Sequence, residues 1–332
     1  MHSGHQYAMN YKTFMAAQGY TFKRILGEGS FGKVVSAYSK ELKGIVAIKI
    51  IDKEKICSNY LEKFLPQEMK IIRLLNHPNV VKTHDIFGSY TSKVYLVMEL
   101  CAKGNLLDYI NDQGTLPEPS CFRLFTQLCK AIKYLHKSNV AHRDIKCENL
   151  LLDKHSNLKV CDFGFSKLLT CRHGQLKLSE TYCGTWSYAA PEILRAIPYN
   201  PKVSDVWSMG VVMYMMLCAL MPYDTSSIKR QVEIQMQHNI NFPDTPAVSS
   251  EAKDLIRSIL HPDVEQRIII RDILCSTWML RKGKMEGSNE APSANTGCEQ
   301  DEPPDDEARE EEQTLNDSSD PGEGPSTAAP RH

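Results

Sequence analysis

The stretch Gly27–Val34 has the pattern GxGxxGxV, and the residues after it limit the folds open to this chain. Glycine triplets occur in ordinary turns and in dinucleotide-binding folds, so the pattern alone is weak evidence. In a dinucleotide-binding unit, a helix follows the last glycine directly. Here residues 33–38 are β-type sequence, which predicts two strands joined by a glycine loop. A dinucleotide-dependent enzyme is therefore disfavoured, and the loop is suited to covering phosphates with its backbone amides.

A lysine, Lys49, lies within the next apolar strand-like stretch, Val46–Ile51. Its ammonium group is costly to bury unless it finds negative partners. One candidate partner is Glu68, on a predicted helix that Pro66 could open. On these residues alone, a lysine that reaches solvent from an edge strand is an equally good interpretation. The face of the predicted helix is formed by Glu68, Ile71, Ile72 and Leu75.

Three further motifs follow in order: HRDxKxxN at residues 142–149, DFG at 162–164 and APE at 190–192. Asp144 is spaced to receive or orient a substrate hydroxyl, and Lys146 can neutralise charge on a transferred phosphoryl group. Asn149 and Asp162 supply oxygen ligands of the kind that Mg²⁺ prefers. Together with the glycine loop and the VAIK stretch, these motifs match the protein-kinase signature in order and spacing.

Residues 20–278 resemble a eukaryotic serine/threonine protein kinase of the calmodulin-dependent/AMP-activated group. The stretches 61–68, 150–153, 182–185 and 221–224 resemble the testis-specific serine/threonine kinase family more narrowly. The resemblance implies an α+β, bilobal fold, with a β-rich N-lobe (20–98) and a helical C-lobe (105–278). It also implies a germ-cell kinase that acts in spermatid differentiation.

The resemblance further assigns roles to individual residues. Asp144, Lys146, Lys49 and Glu68 are expected to be catalytic, Asn149 and Asp162 to bind Mg²⁺, and Thr181 to be an activation-loop phosphorylation site. Asn105 stands where many related kinases place an acidic residue, which leaves a preference for basic substrates open. The ATP-binding residues are expected to be Leu26, Gly27, Glu28, Gly29, Ser30, Phe31, Gly32, Lys33, Val34, Ala47, Lys49, Met98, Glu99, Cys101 and Leu151.

Charge divides the chain unevenly. Residues 286–332 carry 14 acidic residues and two arginines, whereas the rest of the chain has a basic excess. We expect residues 1–19 to be an N-terminal extension and residues 283–332 to be a disordered acidic tail, because the tail offers little apolar area. The sequence has no run of basic residues with interleaved aromatics, so we do not expect nucleic acid as a partner.

The cysteines and the apolar runs indicate the compartment. The eleven cysteines form no CxxC pair, which favours a reduced, cytoplasmic protein. The strongest apolar run, Met209–Met221, is shorter than the roughly 20 residues that a membrane-spanning helix needs. We therefore expect a buried core helix there and no membrane insertion.

The expected partners are protein substrates with Ser/Thr acceptors and an upstream activating kinase. The alternative is a kinase-fold scaffold without activity, which usually lacks the lysine or one of the two motif aspartates. Lys49, Asp144 and Asp162 are all present, which favours the active enzyme.

Overall fold

The computed structural model describes residues 10–29, 32–88, 92–172 and 175–280. The predicted acidic tail and the glycine-loop residues Ser30 and Phe31 lie outside these ranges. An antiparallel sheet forms the N-lobe, with its strands in the order β1-β2-β3-β5-β4. Its strands are β1 (Tyr20–Gly29), β2 (Gly32–Ser39), β3 (Gly44–Asp52), β4 (Thr83–Phe87) and β5 (Lys93–Glu99).

The alternation of side chains along β3 directs Lys49 into the space between the lobes. Successive residues of a strand point to opposite faces of the sheet. Val46, Ile48 and Ile50 pack into the buried core of the N-lobe. Ala47 and Lys49, on the other face, line a cavity beneath the sheet. Lys49 is on the central strand of the order β1-β2-β3-β5-β4, which excludes the alternative of a lysine reaching solvent from an edge strand.

The predicted strand–loop–strand unit is present. Strands β1 and β2 pair antiparallel up to Gly29 opposite Gly32. Gly32 has a φ of 145°, and a Cβ atom there would overlap the carbonyl oxygen of Ile50 on the neighbouring strand. A side chain at position 32 would thus separate β2 from β3, which explains the need for glycine.

A short helix, α1 (Tyr11–Ala17), lies within the segment predicted as an N-terminal extension. The side chain of Asn10 caps it by accepting a hydrogen bond from the Lys12 amide at 3.1 Å. Met15 is fully buried in the N-lobe core, and Phe14 packs its ring 5.2 Å from that of Tyr95. The described part of the segment therefore contributes to the core of the N-lobe.

The helix that carries Glu68 is α2 (Leu65–Leu74), and Pro66 lies in its first turn as predicted. The chain is already helical before it, however, because Tyr60–Phe64 forms a π-helical turn. The Leu65 amide donates to the Tyr60 carbonyl across this turn. Pro66 thus marks the change from π to α geometry. Glu68, Ile71 and Ile72 are buried.

The C-lobe is mostly helical, which confirms the predicted α+β bilobal fold. One apolar face of α4 (Glu118–Lys137) is buried. The buried core helix expected at Met209–Met221 is α6 (Pro201–Cys218), which ends three residues earlier than the apolar run. Short paired strands hold the loops between helices: β6 (Val140–Ala141) with β9 (Lys167–Leu168), β7 (Leu150–Leu152) with β8 (Leu158–Val160), and β10 (Cys171–Arg172) with β11 (Gln175–Leu176). The helices are α3 (Leu106–Gln113), α4 (Glu118–Lys137), α5 (Pro191–Leu194), α6 (Pro201–Cys218), α7 (Ile228–Gln237), α8 (Ser250–Ile259) and α9 (Ile270–Leu274).

Candidate active site

A cavity of about 570 Å³ lies between the sheet and the helical lobe. Glu68, Asn149 and Asp162 reach it from three different elements. Of the predicted nucleotide contacts within the described residues, Glu28, Gly29, Gly32 and Lys33 lie outside its lining. Those that line it are Leu26, Gly27, Val34, Ala47, Lys49, Met98, Glu99, Cys101 and Leu151.

Lys49 bridges two carboxylates at the inner end of the cavity. Its Nζ lies 3.0 Å from Glu68 Oε1 and 2.8 Å from Asp162 Oδ1. Burial acts to lower the pKa of Lys49, but Asp162 and Glu68 outweigh it and hold that pKa well above its ordinary value. In turn, Lys49 holds the pKa of Asp162 below its ordinary value. Lys49 and Asp162 are therefore charged at neutral pH, although the Lys49 side chain is largely withdrawn from solvent.

Both carboxylate oxygens of Asp144 are held by hydrogen bonds. Oδ1 accepts from the amide and the hydroxyl of Thr185, both at 2.8 Å. Oδ2 accepts from Asn149 Nδ2 at 2.9 Å and lies 3.2 Å from Lys146 Nζ. Lys146 also donates to the Thr185 hydroxyl at 2.7 Å. These contacts fix the Asp144 carboxylate in one orientation and join it to the loop that contains Thr185.

Asn149 connects this network to the cavity. Its amide nitrogen donates to both the carbonyl and the carboxylate of Asp144, which directs its own oxygen away from Asp144. Asp162 and Asn149 both line the cavity, and each could supply one oxygen ligand. Within the described ranges, no group of three His, Cys, Asp or Glu residues could hold a metal ion. Two protein oxygens suit Mg²⁺, which keeps several waters and usually shares its sites with substrate phosphates.

The loop before Asp144 is anchored from α6. The carboxylate of Asp205 accepts from the backbone amides of His142 and Arg143 at 2.9 and 2.8 Å, and it contacts His136 Nε2 at 2.9 Å. Asp205 is buried. This anchor holds Arg143 in the left-handed region at φ 65°.

A basic pocket lies beside the segment that carries Thr181. The Ser179 hydroxyl accepts from Arg143 Nη1 and Lys167 Nζ, each at 3.3 Å. Burial, together with Arg143 and Lys177, lowers the pKa of Lys167. Thr181 is exposed, its amide donates to Ser179 Oγ at 3.4 Å, and its carbonyl accepts from the Tyr199 hydroxyl. Arg143 belongs to the HRD motif, whereas no sequence motif marks Lys167 or Ser179.

Glu192 and Arg267 form a buried ion pair. Arg267 Nη1 and Nη2 lie 2.7 and 2.9 Å from Glu192 Oε1 and Oε2, a bidentate arrangement. Ser204 donates to the same carboxylate at 2.8 Å. The pair joins the APE motif to the segment before α9.

Several cavity residues were missed from sequence. Cys161 lines the cavity with Cys101, and burial raises the pKa of both thiols, that of Cys101 to about 12, so both stay protonated at neutral pH. Asp108 also lines the cavity, one turn into α3, where Asn105 caps its amide at 2.8 Å. The remaining missed residues at the back of the cavity are Ile72, Val81, Thr83 and Leu96.

Comparison with known proteins agrees with this geometry. The protein kinase domain family matches residues 20–279. The chain is 52% identical over 268 residues to testis-specific serine/threonine-protein kinase 1 of Mus musculus, covering 80% of this chain and 73% of the relative. It is 42% identical to testis-specific serine/threonine-protein kinase 3 of Mus musculus, covering 80% and 98%. CBL-interacting protein kinase 32 of Oryza sativa subsp. japonica is 39% identical, covering 80% and 59%.

The chain therefore belongs to the protein kinase family. It is a serine/threonine protein kinase that is similar to the testis-specific serine/threonine kinases. This confirms the family, the fold and the enzyme class predicted from the sequence. Among the described residues, no helix is both long enough and apolar enough to cross a membrane.

Proposed function

We propose that this kinase moves the γ-phosphate of ATP to serine and threonine hydroxyls of proteins, with Asp144 as the group that orients the acceptor. The observation that carries the proposal is the network around Asp144. One carboxylate oxygen is bound by Thr185 and the other by Asn149 and Lys146. A fixed carboxylate beside a cation can position a hydroxyl and neutralise the charge on the moving phosphoryl group.

In this proposal Lys49 binds the phosphates, and Glu68 holds Lys49 in place. The Lys49 ammonium contacts two carboxylates, and these contacts direct it into the cavity. Mg²⁺, when bound through Asn149 and Asp162, neutralises phosphate charge. The adenine is proposed to lie among Leu26, Val34, Ala47 and Leu151, with Met98 behind it and the backbone of residues 99–101 along its edge.

Substitution of Asp144 and Asp162 tests these two roles separately. Asp144 does not line the cavity, so Asp144→Asn should lower kcat about a hundredfold or more while ATP affinity is retained. Asp162 does line it, so Asp162→Asn should also weaken Mg²⁺-dependent nucleotide binding. Single-turnover kinetics and nucleotide titrations measure both effects. Activity above about a tenth of wild type for Asp144→Asn would contradict a role in general acid–base positioning.

The acceptor is proposed to be a short hydroxyl side chain. Thr185 closes over Asp144 and Lys146 through three contacts of 2.7–2.8 Å. Serine and threonine present their oxygen one bond from Cβ, whereas the tyrosine oxygen lies beyond a ring. Phosphoamino-acid analysis of a mixed protein substrate should thus yield phosphoserine and phosphothreonine, and mainly phosphotyrosine would contradict the assignment.

Thr181 is proposed as a phosphorylation site for an upstream kinase. A phosphate carries about −2 charge and strong acceptor oxygens, which suit the basic pocket of Arg143 and Lys167. The Ser179 hydroxyl lies in that pocket, and Thr181 is hydrogen-bonded to it. A phosphate on Thr181 would add the charge that the pocket lacks and order the segment.

The biological setting is proposed from the relatives. Their names place them in testis, and we propose a cytoplasmic role in germ cells during spermatid differentiation. Protein substrates can be found by comparing phosphoproteomes of germ cells that express the active kinase or the Asp144→Asn variant. An unchanged set of phosphosites would contradict this role.

A further inference from the structure

The two oxygens of the Glu68 carboxylate have different partners. Oε1 lies 3.0 Å from Lys49 Nζ, and Oε2 accepts a hydrogen bond from the Tyr60 hydroxyl at 3.0 Å. Tyr60 lies in the π-helical turn before α2 and is 4% exposed. The three side chains thus form a row, Tyr60–Glu68–Lys49, with the phenol at one end and the ammonium at the other.

The ring of Tyr60 is held in place from its own turn. It stacks on Phe64 with centroids 5.7 Å apart and an interplanar angle of 20°. Phe64 in turn packs edge-on against Phe165, 5.8 Å away, in the segment after Asp162. The position of the hydroxyl therefore depends on both the π-helical turn and the segment that follows the DFG motif.

The Tyr60 hydroxyl also lies against Gly164. A Cβ atom at position 164 would be 2.7 Å from the hydroxyl oxygen, closer than side chains tolerate, and 3.4 Å from Asp162 Oδ1. The hydroxyl occupies the place of that side chain. Helix α2 through Glu68 and the DFG loop through Gly164 consequently meet at one phenol oxygen, and the Lys49–Glu68 ion pair connects strand β3 to it.

We propose that Tyr60 is a positioning residue for the kinase reaction: it fixes the Glu68 carboxylate so that Lys49 points at the nucleotide phosphates. A carboxylate bound through one oxygen can still turn about its last side-chain bond. The hydrogen bond to the second oxygen removes that freedom, and charge-assisted hydrogen bonds are stronger than neutral ones. Burial and the Glu68 carboxylate raise the pKa of Tyr60 above its ordinary value, so the phenol remains a donor at neutral pH.

This inference rests on the proposed roles of Lys49 and Glu68. It goes further because Tyr60 belongs to none of the five motifs and does not line the cavity. It predicts that a hydroxyl outside the nucleotide site controls how well the site uses ATP.

The first test is Tyr60→Phe, which removes the hydroxyl and keeps the ring that stacks on Phe64. The matched control is Tyr214→Phe: Tyr214 is also 4% exposed, and its hydroxyl donates to the Asn241 carbonyl at 2.6 Å in the C-lobe. We expect kcat/KM for ATP to fall about tenfold in Tyr60→Phe, which equals about 1.4 kcal/mol. The KM for a peptide substrate should stay the same, and Tyr214→Phe should leave both parameters unchanged.

A purely structural role for Tyr60 gives a different pattern. Thermal unfolding of both variants shows how much stability each lost hydroxyl costs. If Tyr60→Phe and Tyr214→Phe lose similar stability and have the same kcat/KM for ATP, the positioning role is overturned. Equal changes in the KM values for ATP and peptide in Tyr60→Phe would overturn it as well.

Gly164→Ala supplies a second, independent test. The added methyl group should push the hydroxyl away from Glu68 and lower kcat/KM for ATP. In Tyr60→Phe there is no hydroxyl to displace, so adding Gly164→Ala should cost little more. Substitutions that act through one contact are non-additive in this way. If the two losses multiply as independent effects, the hydroxyl is not the shared element and the inference fails.

Failure of the inference can be separated from failure of the proposed function. If Lys49→Met and Asp144→Asn retain activity, the proposed catalytic roles are wrong. If those variants lose activity while Tyr60→Phe behaves like Tyr214→Phe, only the role of Tyr60 is wrong.

Discussion

The buried ion pair between Glu192 and Arg267 allows a quantitative prediction for Glu192→Gln. Arg267 is 3% exposed, and both of its terminal nitrogens contact the Glu192 carboxylate. The glutamine side chain has nearly the same shape, but it carries no charge and one oxygen instead of two. The substitution thus leaves a buried guanidinium group without its carboxylate partner.

The cost of this change can be estimated from the contacts that remain. Breaking a buried pair by removing one partner costs about 3–5 kcal/mol. Arg267 keeps its hydrogen bonds to the carbonyls of His261 and Val203, and its guanidinium stays 4.9 Å from the Trp207 ring. Because these contacts remain, we expect Glu192→Gln to lower the free energy of unfolding by about 3 kcal/mol, the lower end of that range. A typical domain has a total free energy of unfolding of about 5–15 kcal/mol.

The matched control is an exposed pair of the same chemistry. Arg257 Nη1 lies 3.1 Å from Asp254 Oδ1, with side chains 44% and 74% exposed. Asp254→Asn should cost about 0–1 kcal/mol, because solvent screens the pair. Urea unfolding of the wild-type protein and both variants measures the two free energies. Equal losses for Glu192→Gln and Asp254→Asn would refute the argument that burial makes the Glu192 pair indispensable.

Three further predictions concern other parts of the chain. Met15→Ala should lower the free energy of unfolding by about 2–5 kcal/mol because Met15 is fully buried, and an unchanged urea midpoint would show that α1 does not support the N-lobe. Thr181→Ala should lower kinase activity severalfold in the wild-type protein, but the same substitution should change activity little in a Lys167→Met variant. An equal loss of activity in both proteins would argue against the basic pocket. A chain that ends at Lys284 should keep its activity. If the acidic tail masks the domain, the truncated enzyme should be more active than the full-length enzyme at low salt, and this gain should fade near 0.15 M salt, where the Debye length is about 8 Å.

The sequence predicted those parts of the site that depend on local patterns. The alternation of Val46–Ile51 places Lys49 on the cavity face, and the helical spacing of α2 places Glu68 opposite it. Their separation of 3.0 Å could not be obtained from either pattern alone. It follows from the family resemblance, because the five motifs occur together only where the fold brings them together.

The sequence did not predict contacts that depend on irregular backbone or on distant segments. Tyr60 reaches Glu68 because a π-helical turn precedes Pro66, and helical periodicity does not reveal such a turn. Met15 lies in a polar segment in which one buried methionine gives too weak a pattern. Ser179 meets Arg143 where its segment pairs with Tyr199, and the pairing of β9 with β6 brings Lys167 to the same hydroxyl.

The loops of the site also contain backbone that sequence patterns disfavour. Arg143 and Asp162 have φ values of 65° and 60°, in the left-handed region that non-glycine residues seldom adopt. Each such residue costs on the order of 1–3 kcal/mol unless the surroundings enforce it. Asp205 enforces the first through the amide of Arg143, and Lys49 holds the carboxylate of the second.

His142 joins the two strained loops to each other. Its Nε2 donates to the Cys161 carbonyl at 2.9 Å, directly before Asp162, and its ring lies 5.2 Å from that of Phe163. Its own amide is bound by Asp205. Asp205 on α6 anchors the backbone of His142, and the His142 ring contacts Cys161 and Phe163 on either side of Asp162. The positions of Asp144 and Asp162 therefore depend on each other. Buried contacts of the C-lobe therefore set the backbone positions of Asp144 and Asp162 relative to each other, while Lys49 of the N-lobe holds the Asp162 carboxylate.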